Sequence, residues 1–329
     1  MNGWVLYNET SEILRAESFE LNRFRQVADQ CGIELTVISP EQIDLVVTRD
    51  GRQSVLLDGK EVSLPDFLLP RMGAATTYFA LAVIRHLERL GVQTFNSSQS
   101  IETVRDKLFT HQILAQSNLP VAKTMLAKFP VDVESVEKHL GLPVVVKTIS
   151  GSQGTGVFLC ESREHFEDLM QLVHATKSNV NIIIQEFVAS SRGRDLRVLV
   201  VGGKAIACMK RSSNDGSFKA NFTRGGSVEM FELTPEIEWL SSEASRLLGL
   251  DIAGIDLLFD GEHYKICEAN SSPGFRGMES CVEVNVPEHI FSFICVRLGQ
   301  LDKLPRVARV SNENTDIQAS EQRAADDLA

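Results

Sequence analysis

The chain has 329 residues, of which 43% are hydrophobic and 23% charged, a composition typical of a globular protein large enough to form two or three lobes. Its net charge of −11 argues against general binding to nucleic acid or to an anionic membrane surface. No apolar run approaches the roughly 18 residues of a membrane span. The N-terminal residues do not resemble a signal peptide, so we expect a cytoplasmic protein without membrane contact.

The cysteine and histidine spacing argues against a zinc site. The six cysteines include no CxxC pair, and the seven histidines include no HExxH or HxH spacing. Most of the cysteines sit in apolar surroundings, which favours reduced core thiols over disulfides.

Strand and helix patterns alternate along the first ninety-odd residues. In chain order they are a strand at 4–7, a helix that ends at Gly32, a strand at 34–39, a hairpin around Asp58-Gly59, a strand at 66–71, a helix over 77–91 and a strand at 92–96. This alternation predicts an open α/β domain over residues 1–96.

The next segment, residues 97–190, is predicted to be a first lobe. Its elements are one helix from Ser97 that carries Arg105, Asp106 and Lys107, strands at 121–127 and 143–148, a Gly-rich loop at 151–157, a helix around 166–173 and an apolar strand at 181–188.

Residues 191–300 are predicted to be a second, antiparallel lobe. Its elements are a hairpin about Gly202-Gly203, a polar loop at 212–227, a helix near 236–248 and a hairpin over 253–270. From about residue 301 the apolar residues thin out, so residues 301–329 are predicted to be an acidic, disordered tail.

The last hairpin is predicted to bring two carboxylates together. If its loop is the three residues Gly261–His263, Asp260 pairs with Tyr264. Counting back along both strands then puts Asp256 directly opposite Glu268.

An amide follows on the same strand. Asn270 is two residues beyond Glu268 and therefore shares its face, while Cys267 is expected to be buried on the other face. Two carboxylates and an amide oxygen suit Mg²⁺ or Mn²⁺. An ordinary solvated hairpin face would contain the same residue types.

A second candidate site lies around the Gly-rich loop. Lys147 ends an apolar strand, and Gly151, Gly154 and Gly156 follow it. Open backbone N–H groups and a lysine charge suit a polyphosphate, although the pattern is neither a Walker A loop nor GxGxxG and is also that of a plain connector. The strand that ends at Gln185-Glu186 is a candidate for reading an adenine edge, and a simple strand terminus looks the same.

Taken together, several stretches resemble ATP-grasp ligases and, more narrowly, RimK-type glutamate ligases. The stretches are Arg105-Asp106-Lys107, "VVVK", "GSQGTGV", "QEFV", "GRDLRVLVVGGKAIACMKR", "GSFKANFTRGG", "AGIDLLF" and "EANSSPGF". The resemblance runs from about Arg71 to Gly277. It implies an α/β protein of the α+β ATP-grasp type, in which two lobes clamp ATP behind an N-terminal α/β domain.

The resemblance also implies roles for individual residues. The residues expected to bind ATP are Lys107, Lys147, Gly151, Ser152, Gly154, Gly156, Glu186, Phe187, Asp195, Lys219, Ala220 and Asn221. Among these, Glu186 and Phe187 would lie along the adenine and Asp195 would hold the ribose. The implied ligands of two Mg²⁺ or Mn²⁺ ions are Asp256, Glu268 and Asn270, and the catalytic candidates are Arg197, Arg211 and Asn270.

Such a ligase first converts a carboxylate into an acyl phosphate, which an amine then attacks. The family adds glutamate to the C-terminus of a small-subunit ribosomal protein, so the resemblance implies L-glutamate and a protein or peptide C-terminal carboxylate as partners. The cations near the motifs exceed what ATP alone needs, which agrees with a doubly negative amino acid; they are Arg71, Arg211, Arg224 and Arg276. The backbone N–H groups at 272–274 are candidates for carboxylate binding.

Three other functions remain open at this point. A sibling ligase would join an amino acid to a small molecule, and a kinase on the same fold would stop at phosphoryl transfer to a hydroxyl. A binding protein would hold ATP without turnover, although the intact metal and phosphate residues argue against it. The sequence leaves open whether the chain forms a homo-oligomer.

Overall fold

The structure is a computed structural model that describes residues 1–7, 13–49, 54–73, 76–149, 156–176, 181–220 and 225–305, with the side chains of 13–18 excluded. Most of the Gly-rich loop, Asn221, Arg224 and nearly all of the predicted tail lie outside these ranges. Within them, none of the helices is both long enough and apolar enough to cross a bilayer.

Strands and helices alternate in the first part of the chain and give way to long strands later. The strands are β1 (Asn2–Leu6), β2 (Glu34–Ile38), β3 (Ile43–Leu45), β4 (Val55–Leu57), β5 (Lys60–Glu61), β6 (Phe67–Pro70), β7 (Gln93–Thr94), β8 (Thr124–Leu126), β9 (Val144–Thr148), β10 (Val157–Cys160), β11 (Ile182–Glu186), β12 (Arg194–Val201), β13 (Lys204–Ser212), β14 (Ser227–Met230), β15 (Ile252–Asp260) and β16 (His263–Asn270). The α-helices are α1 (Ile13–Gln30), α2 (Tyr78–Arg89), α3 (Ser98–Arg105), α4 (Lys107–Gln116), α5 (Val133–Leu140), α6 (Arg163–Ala175), α7 (Pro235–Leu247), α8 (Arg276–Cys281) and α9 (Val286–Arg297).

The described strands form four sheets. The first is parallel, in the order β2-β1-β6-β7. A small antiparallel sheet, β3-β4-β5, is inserted in the chain between β2 and β6. The third sheet, β10-β9-β11-β8, and the fourth, β14-β13-β12-β15-β16, are antiparallel throughout. The expected α/β beginning and antiparallel second half are both found. The proposed division at residues 96, 190 and 300 stays a prediction.

The two central strands of the parallel sheet, β1 and β6, are apolar because both of their faces are covered. All four residues of β6 and four of the five residues of β1 are buried. Buried parallel strands read as continuous apolar runs, which is why these segments were recognisable in the sequence.

The predicted hairpin at Asp58-Gly59 is confirmed. Leu57 pairs with Lys60, and both turn residues have positive φ, 49° and 74°. This is the geometry that a two-residue hairpin turn requires, and it explains the Asp-Gly pair.

The single helix predicted from Ser97 is wrong, because the chain forms two helices there. Asp106 is extended, at φ −92° and ψ 101°, and its Oδ1 accepts a hydrogen bond from Phe109 N at 2.9 Å. Asp106 is thus the N-cap of α4, a position that favours aspartate over helix continuation. The break puts Lys107 on the first turn of α4.

The last hairpin differs from its predicted geometry in two ways. Its loop has two residues, since Asp260 pairs with His263 and not with Tyr264. A β-bulge follows, because Leu257 pairs with Ile266 while Asp256 pairs with Glu268. The extra residue restores the register, so the predicted partnership of Asp256 and Glu268 is found.

The bulge residue is Cys267, and its predicted burial on the opposite face is wrong. A bulge leaves one residue outside the strict alternation of faces. Cys267 is only partly buried, and its Sγ lies 3.7 Å from Lys147 Nζ on β9.

One hydrophobic core joins the parallel sheet to the five-stranded antiparallel sheet. It includes Val5 and Phe95 from the first region, Ile252 from β15, and Phe291 from α9. The sheet β10-β9-β11-β8 has a separate core, which includes Val146, Phe166 and Ile184.

Asn96 links the two sheets that share a core. It is fully buried, and its Nδ2 donates to Ile252 O and Ser271 O, both at 2.7 Å. Its Oδ1 accepts from Asp251 N at 2.6 Å and Ile252 N at 2.9 Å. One side chain therefore satisfies main-chain groups at the start of β15 and just after β16.

We expect Asn96→Ala to reduce the free energy of unfolding by about 3 kcal/mol or more, because buried main-chain groups lose their partners. Thermal unfolding of the full chain measures the effect. Asn214→Ala is the matched control, since Asn214 is exposed and donates one bond, to Gly225 O at 2.9 Å. Equal melting temperatures for the two variants would contradict the linking role of Asn96.

Candidate active site

Asp256 lies at the centre of the site and is bound by two arginines. Arg197 on β12 is its register partner and donates from Nε to Oδ1 at 2.8 Å and from Nη2 to Oδ2 at 2.7 Å. Arg211 on β13 donates from Nη2 to Oδ2 at 3.0 Å. Such bidentate pairing fixes both the distance and the plane of the groups.

Arg211 is shared between two carboxylates. Besides Asp256, it binds Asp195, its partner across the β12–β13 ladder, from Nε at 2.6 Å and from Nη2 at 2.7 Å. The side chains of Arg211 and Asp256 are each 7% exposed. Buried charges of this kind persist only when they are paired and hydrogen-bonded.

The pairing keeps Asp256 ionised. Burial alone would raise the pKa of this carboxyl, but Arg197 and Arg211 outweigh that effect and hold the pKa below its ordinary value. Asp256 is therefore an anion at neutral pH and can serve as an oxygen ligand.

A second carboxylate and two lysines complete the charged cluster. Glu268 lies opposite Asp256, and its Oε1 is 3.1 Å from Nζ of Lys107 on the first turn of α4. Lys147 reaches the same strand from the other sheet, where it contacts Cys267. Burial raises the pKa of the Cys267 thiol, so the sulfur next to Lys147 is protonated at neutral pH.

The donor set fits a divalent cation that is shared with substrate. Asn270 Nδ2 donates to Gly254 O at 3.2 Å, which leaves Oδ1 as the acceptor atom of the amide. Asp256, Glu268 and this oxygen form an oxygen-only set of the type that Mg²⁺ prefers. In the part of the chain that the structure describes, no three His, Cys, Asp or Glu side chains form a metal cluster. Substrate oxygens and water would therefore complete the coordination shell.

The end of β11 joins the site through a lysine on β16. Glu186 Oε1 accepts from Lys265 Nζ at 2.8 Å and from Lys123 N at 3.0 Å. Phe187 follows at the strand end, where the guanidinium of Arg192 lies 5.8 Å from its ring centroid. The two residues expected along adenine thus lie at the end of β11, where Glu186 contacts Lys265 of β16.

A buried polar network behind the site was not recognised from the sequence. His111 on α4 is 4% exposed and Gln185 is 2% exposed. Thr124 Oγ1 accepts from Gln185 Nε2 at 2.8 Å and lies 3.2 Å from His111 Nδ1. His111 Nε2 lies 3.0 Å from Cys267 O. A histidine within the apolar stripe of α4 was the available signal in the sequence.

The remaining predicted residues are more peripheral or undescribed. Lys219 Nζ lies 5.4 Å from the Phe218 ring centroid, Ala220 is 7% exposed, and Gly156 has φ 71°. Gly151, Ser152, Gly154 and Asn221 fall outside the described residues.

Arg71 is not an exposed cation. It is 4% exposed, donates from Nη2 to Pro273 O at 2.8 Å, and lies over the Phe24 ring. It therefore anchors the "SSPG" turn. Arg276, the first residue of α8, is exposed, and Arg224 lies outside the described residues.

The cluster has more cations than anions. The cations are Arg197, Arg211, Lys107 and Lys147, and the carboxylates are Asp195, Asp256 and Glu268. The groups come from the two larger antiparallel sheets and from α4. A positively biased cluster that contains the ionised carboxylate of Asp256 is suited to an anionic, metal-bound substrate.

Two family models match consecutive parts of the chain. The RimK PreATP-grasp domain matches residues 13–101, and the RimK-like ATP-grasp domain matches residues 104–294. A probable alpha-L-glutamate ligase of Marinomonas sp. (strain MWYL1) is 36% identical over 277 residues, which is 84% of this chain and 91% of that protein.

Solved structures agree on the fold. The ATP-grasp ligase PsnB, complexed with minimal precursor, Mg and ADP, superposes with a TM-score of 0.65 at 19% identity and covers 91% of this chain and 98% of its own. D-alanine–D-alanine ligase from Bacillus anthracis, complexed with ATP, superposes with a TM-score of 0.65 at 16% identity, over 91% of this chain and 99% of its own.

The expected α+β ATP-grasp fold is therefore confirmed, and ATP use follows from it. Family models that cover most of the chain, together with a relative at 36% identity, lead to the same assignment. The chain belongs to the RimK-like ATP-grasp family and is an ATP-dependent ligase.

Proposed function

We propose that this ligase adds L-glutamate to the C-terminal carboxylate of a protein or peptide, such as a small-subunit ribosomal protein. The observation that carries the proposal is the buried Asp256, bound by Arg197 and Arg211 and paired across the hairpin with Glu268, which Lys107 contacts. The arrangement offers both metal ligands and fixed cations at one place, as phosphoryl transfer requires.

The nucleotide would lie between the two larger antiparallel sheets. Lys107 and Lys147 would bind its phosphates, since each already contacts β16 from a different element. Glu186 and Phe187 would border the adenine. We retain the ribose contact of Asp195 as a prediction and add a second role: both of its oxygens orient Arg211.

Phosphate-loop residues would complete the nucleotide site. The residues concerned are Gly151, Ser152, Gly154 and Gly156 on one side, and Lys219, Ala220 and Asn221 on the other. Backbone N–H groups of such a loop can approach phosphate oxygens closely because glycine has no side chain.

We further propose that Asp256, Glu268 and Asn270 hold two divalent ions. Bound there, Mg²⁺ or Mn²⁺ would neutralise charge on the phosphoryl group during its transfer. Arg197 would prepare this metal site, because its bidentate bond keeps the carboxylate of Asp256 ionised and oriented before any ligand binds.

The chemical sequence needs no nucleophilic side chain. A carboxylate oxygen of the acceptor attacks the γ-phosphorus of ATP, which forms an acyl phosphate and releases ADP. The amine of glutamate then attacks the acyl carbon, the carbonyl re-forms as phosphate leaves, and the amine loses a proton. Arg197 and Arg211 are the cations available to stabilise the oxyanion, and a fixed donor of this kind contributes about 3 kcal/mol.

Glutamate is favoured as the amine substrate by the charge of the site and by the names of the relatives. An amino acid with two carboxylates suits a cleft in which cations outnumber carboxylates. The exposed Arg276 and the main-chain N–H groups near Ser272 are the candidates for holding those carboxylates. A cationic amino acid would be repelled by the same groups.

We expect Glu268→Gln to lower turnover by about 100-fold or more and to raise the Mg²⁺ concentration needed for half-maximal activity. The amide keeps the size of the side chain but removes one anionic ligand. ADP release measured across a Mg²⁺ titration tests this prediction.

Glu262→Gln is the matched control for that variant. Glu262 is exposed in the two-residue turn of the same hairpin, so its turnover and Mg²⁺ requirement should equal those of the unmodified chain. A Glu268→Gln enzyme with normal turnover and normal Mg²⁺ dependence would contradict the metal assignment.

We expect L-glutamate to support faster ATP-dependent ligation than lysine, alanine or glycine. The assay offers each amino acid separately, at equal concentration, with a peptide that ends in glutamate, and it measures product mass. Successive products should differ by one glutamyl residue, because each addition presents a new α-carboxylate.

The same peptide with a C-terminal amide is the control, since it lacks the carboxylate to be activated and should give no product. Faster incorporation of lysine or of a neutral amino acid would favour a sibling ligase. Phosphate release that requires acceptor but no amine would indicate a kinase.

A further inference from the structure

The main chain of Cys267, at the bulge, needs a hydrogen-bond partner from outside the β15–β16 ladder. Leu257 pairs with Ile266 and Asp256 pairs with Glu268, so Cys267 has no ladder partner on β15. Main-chain groups that leave a ladder need another hydrogen-bond partner when they are buried. The direction of Glu268 depends on how this one residue is held.

His111 supplies the missing partner. Its Nε2 lies 3.0 Å from Cys267 O and 3.4 Å from Gln185 Nε2. Because a carbonyl can only accept, the contact with Cys267 is a hydrogen bond in the tautomer that carries the proton on Nε2. Burial lowers the pKa of His111, which agrees with a neutral ring that has a single N–H. Nδ1 lies 3.2 Å from Thr124 Oγ1.

The other side of the ring is fixed by β8 and β11. Thr124 Oγ1 donates to Ala122 O at 2.9 Å and accepts from Gln185 Nε2 at 2.8 Å. Gln185 is directly before Glu186 on β11. The imidazole therefore connects the sheet β10-β9-β11-β8 to the bulge on β16.

The same helix contacts the adjacent carboxylate. Lys107 is one turn before His111 on α4, and it lies 3.1 Å from Glu268. Two residues of α4 thus hold two consecutive residues of β16, one through its main chain and the other through its side chain.

We propose that His111 is a positioning residue which, by donating to the Cys267 carbonyl, holds the bulge that aims Glu268 at the metal site. This inference rests on the proposed function of Glu268 and assigns His111 no contact with substrate. Its role is to keep one ligand in register with Asp256.

Two substitutions separate hydrogen bonding from packing. His111→Leu fills a similar volume without a donor, while His111→Gln retains an N–H donor near the position of Nε2. His165→Leu is the control for the loss of a histidine, since His165 is exposed on α6.

The first measurement uses the full chain without nucleotide. The rate of Cys267 alkylation by iodoacetamide, followed by peptide mass mapping, reports on the bulge directly. We expect His111→Leu to increase this rate at least fivefold, and His111→Gln and His165→Leu to leave it within twofold of the unmodified chain.

The second measurement is ADP release in the ligation assay across a Mg²⁺ titration. His111→Leu should raise the half-saturating Mg²⁺ concentration about tenfold, the effect typical of losing a group that orients a metal ligand. The KM for glutamate should stay unchanged, and His111→Gln should restore the Mg²⁺ requirement.

A lower melting temperature for His111→Leu, with unchanged Cys267 alkylation and unchanged Mg²⁺ requirement, would overturn the proposal and leave a packing role. Equal defects in the Leu and Gln variants would also overturn it. If the unmodified chain adds no glutamate, the proposed function fails, while the alkylation rates still decide whether His111 holds the bulge.

Discussion

A buried carboxylate at position 256 determines how the active cleft is organised. Its negative charge lies inside the sheet, and two guanidinium groups compensate it, one from the adjacent strand β12 and one from β13, the next strand beyond it. Isolated burial of such a charge would be very costly, so the three strands that supply these groups must meet in one register. A slip of one residue on β12 would turn Arg197 to the opposite face.

The same pairing prepares the cleft before any ligand is present. Arg197, Arg211 and Lys107 are held by carboxylates of the chain itself, so they do not have to be ordered at the moment of reaction. Preorganised charge of this kind is the main source of electrostatic catalysis. Under the proposed function, stability and catalysis depend on the same contacts, and a change to either arginine should affect both.

Local sequence signals were sufficient for most of the strands, for the hairpins at Asp58-Gly59 and Gly202-Gly203, and for the opposition of Asp256 and Glu268. They missed the short strands β3 and β14 and the helices α5, α8 and α9. That opposition was reached although the loop is shorter than expected, because the bulge at Cys267 compensates for the missing residue. The bulge itself has no signature in the sequence, since its partner His111 is more than a hundred residues away. The two arginine contacts of Asp256 were equally hidden, because they join strands far apart in the chain. The Arg211–Asp195 pair lies within one hairpin, but a register shift between Leu199 and Val200 sets its alignment. The helix break at Asp106 did have a local signal, the aspartate N-cap, which a continuous apolar stripe concealed.

The division of the hydrophobic cores has a consequence for how the molecule opens. The parallel sheet and the five-stranded sheet share one core, whereas β10-β9-β11-β8 encloses its own. A body with a separate core can rotate or unfold locally without exposing the rest. Hydrogen exchange should therefore find two cooperatively opening units. The smaller one, the sheet β10-β9-β11-β8 with its own core, should open and move relative to the rest of the molecule.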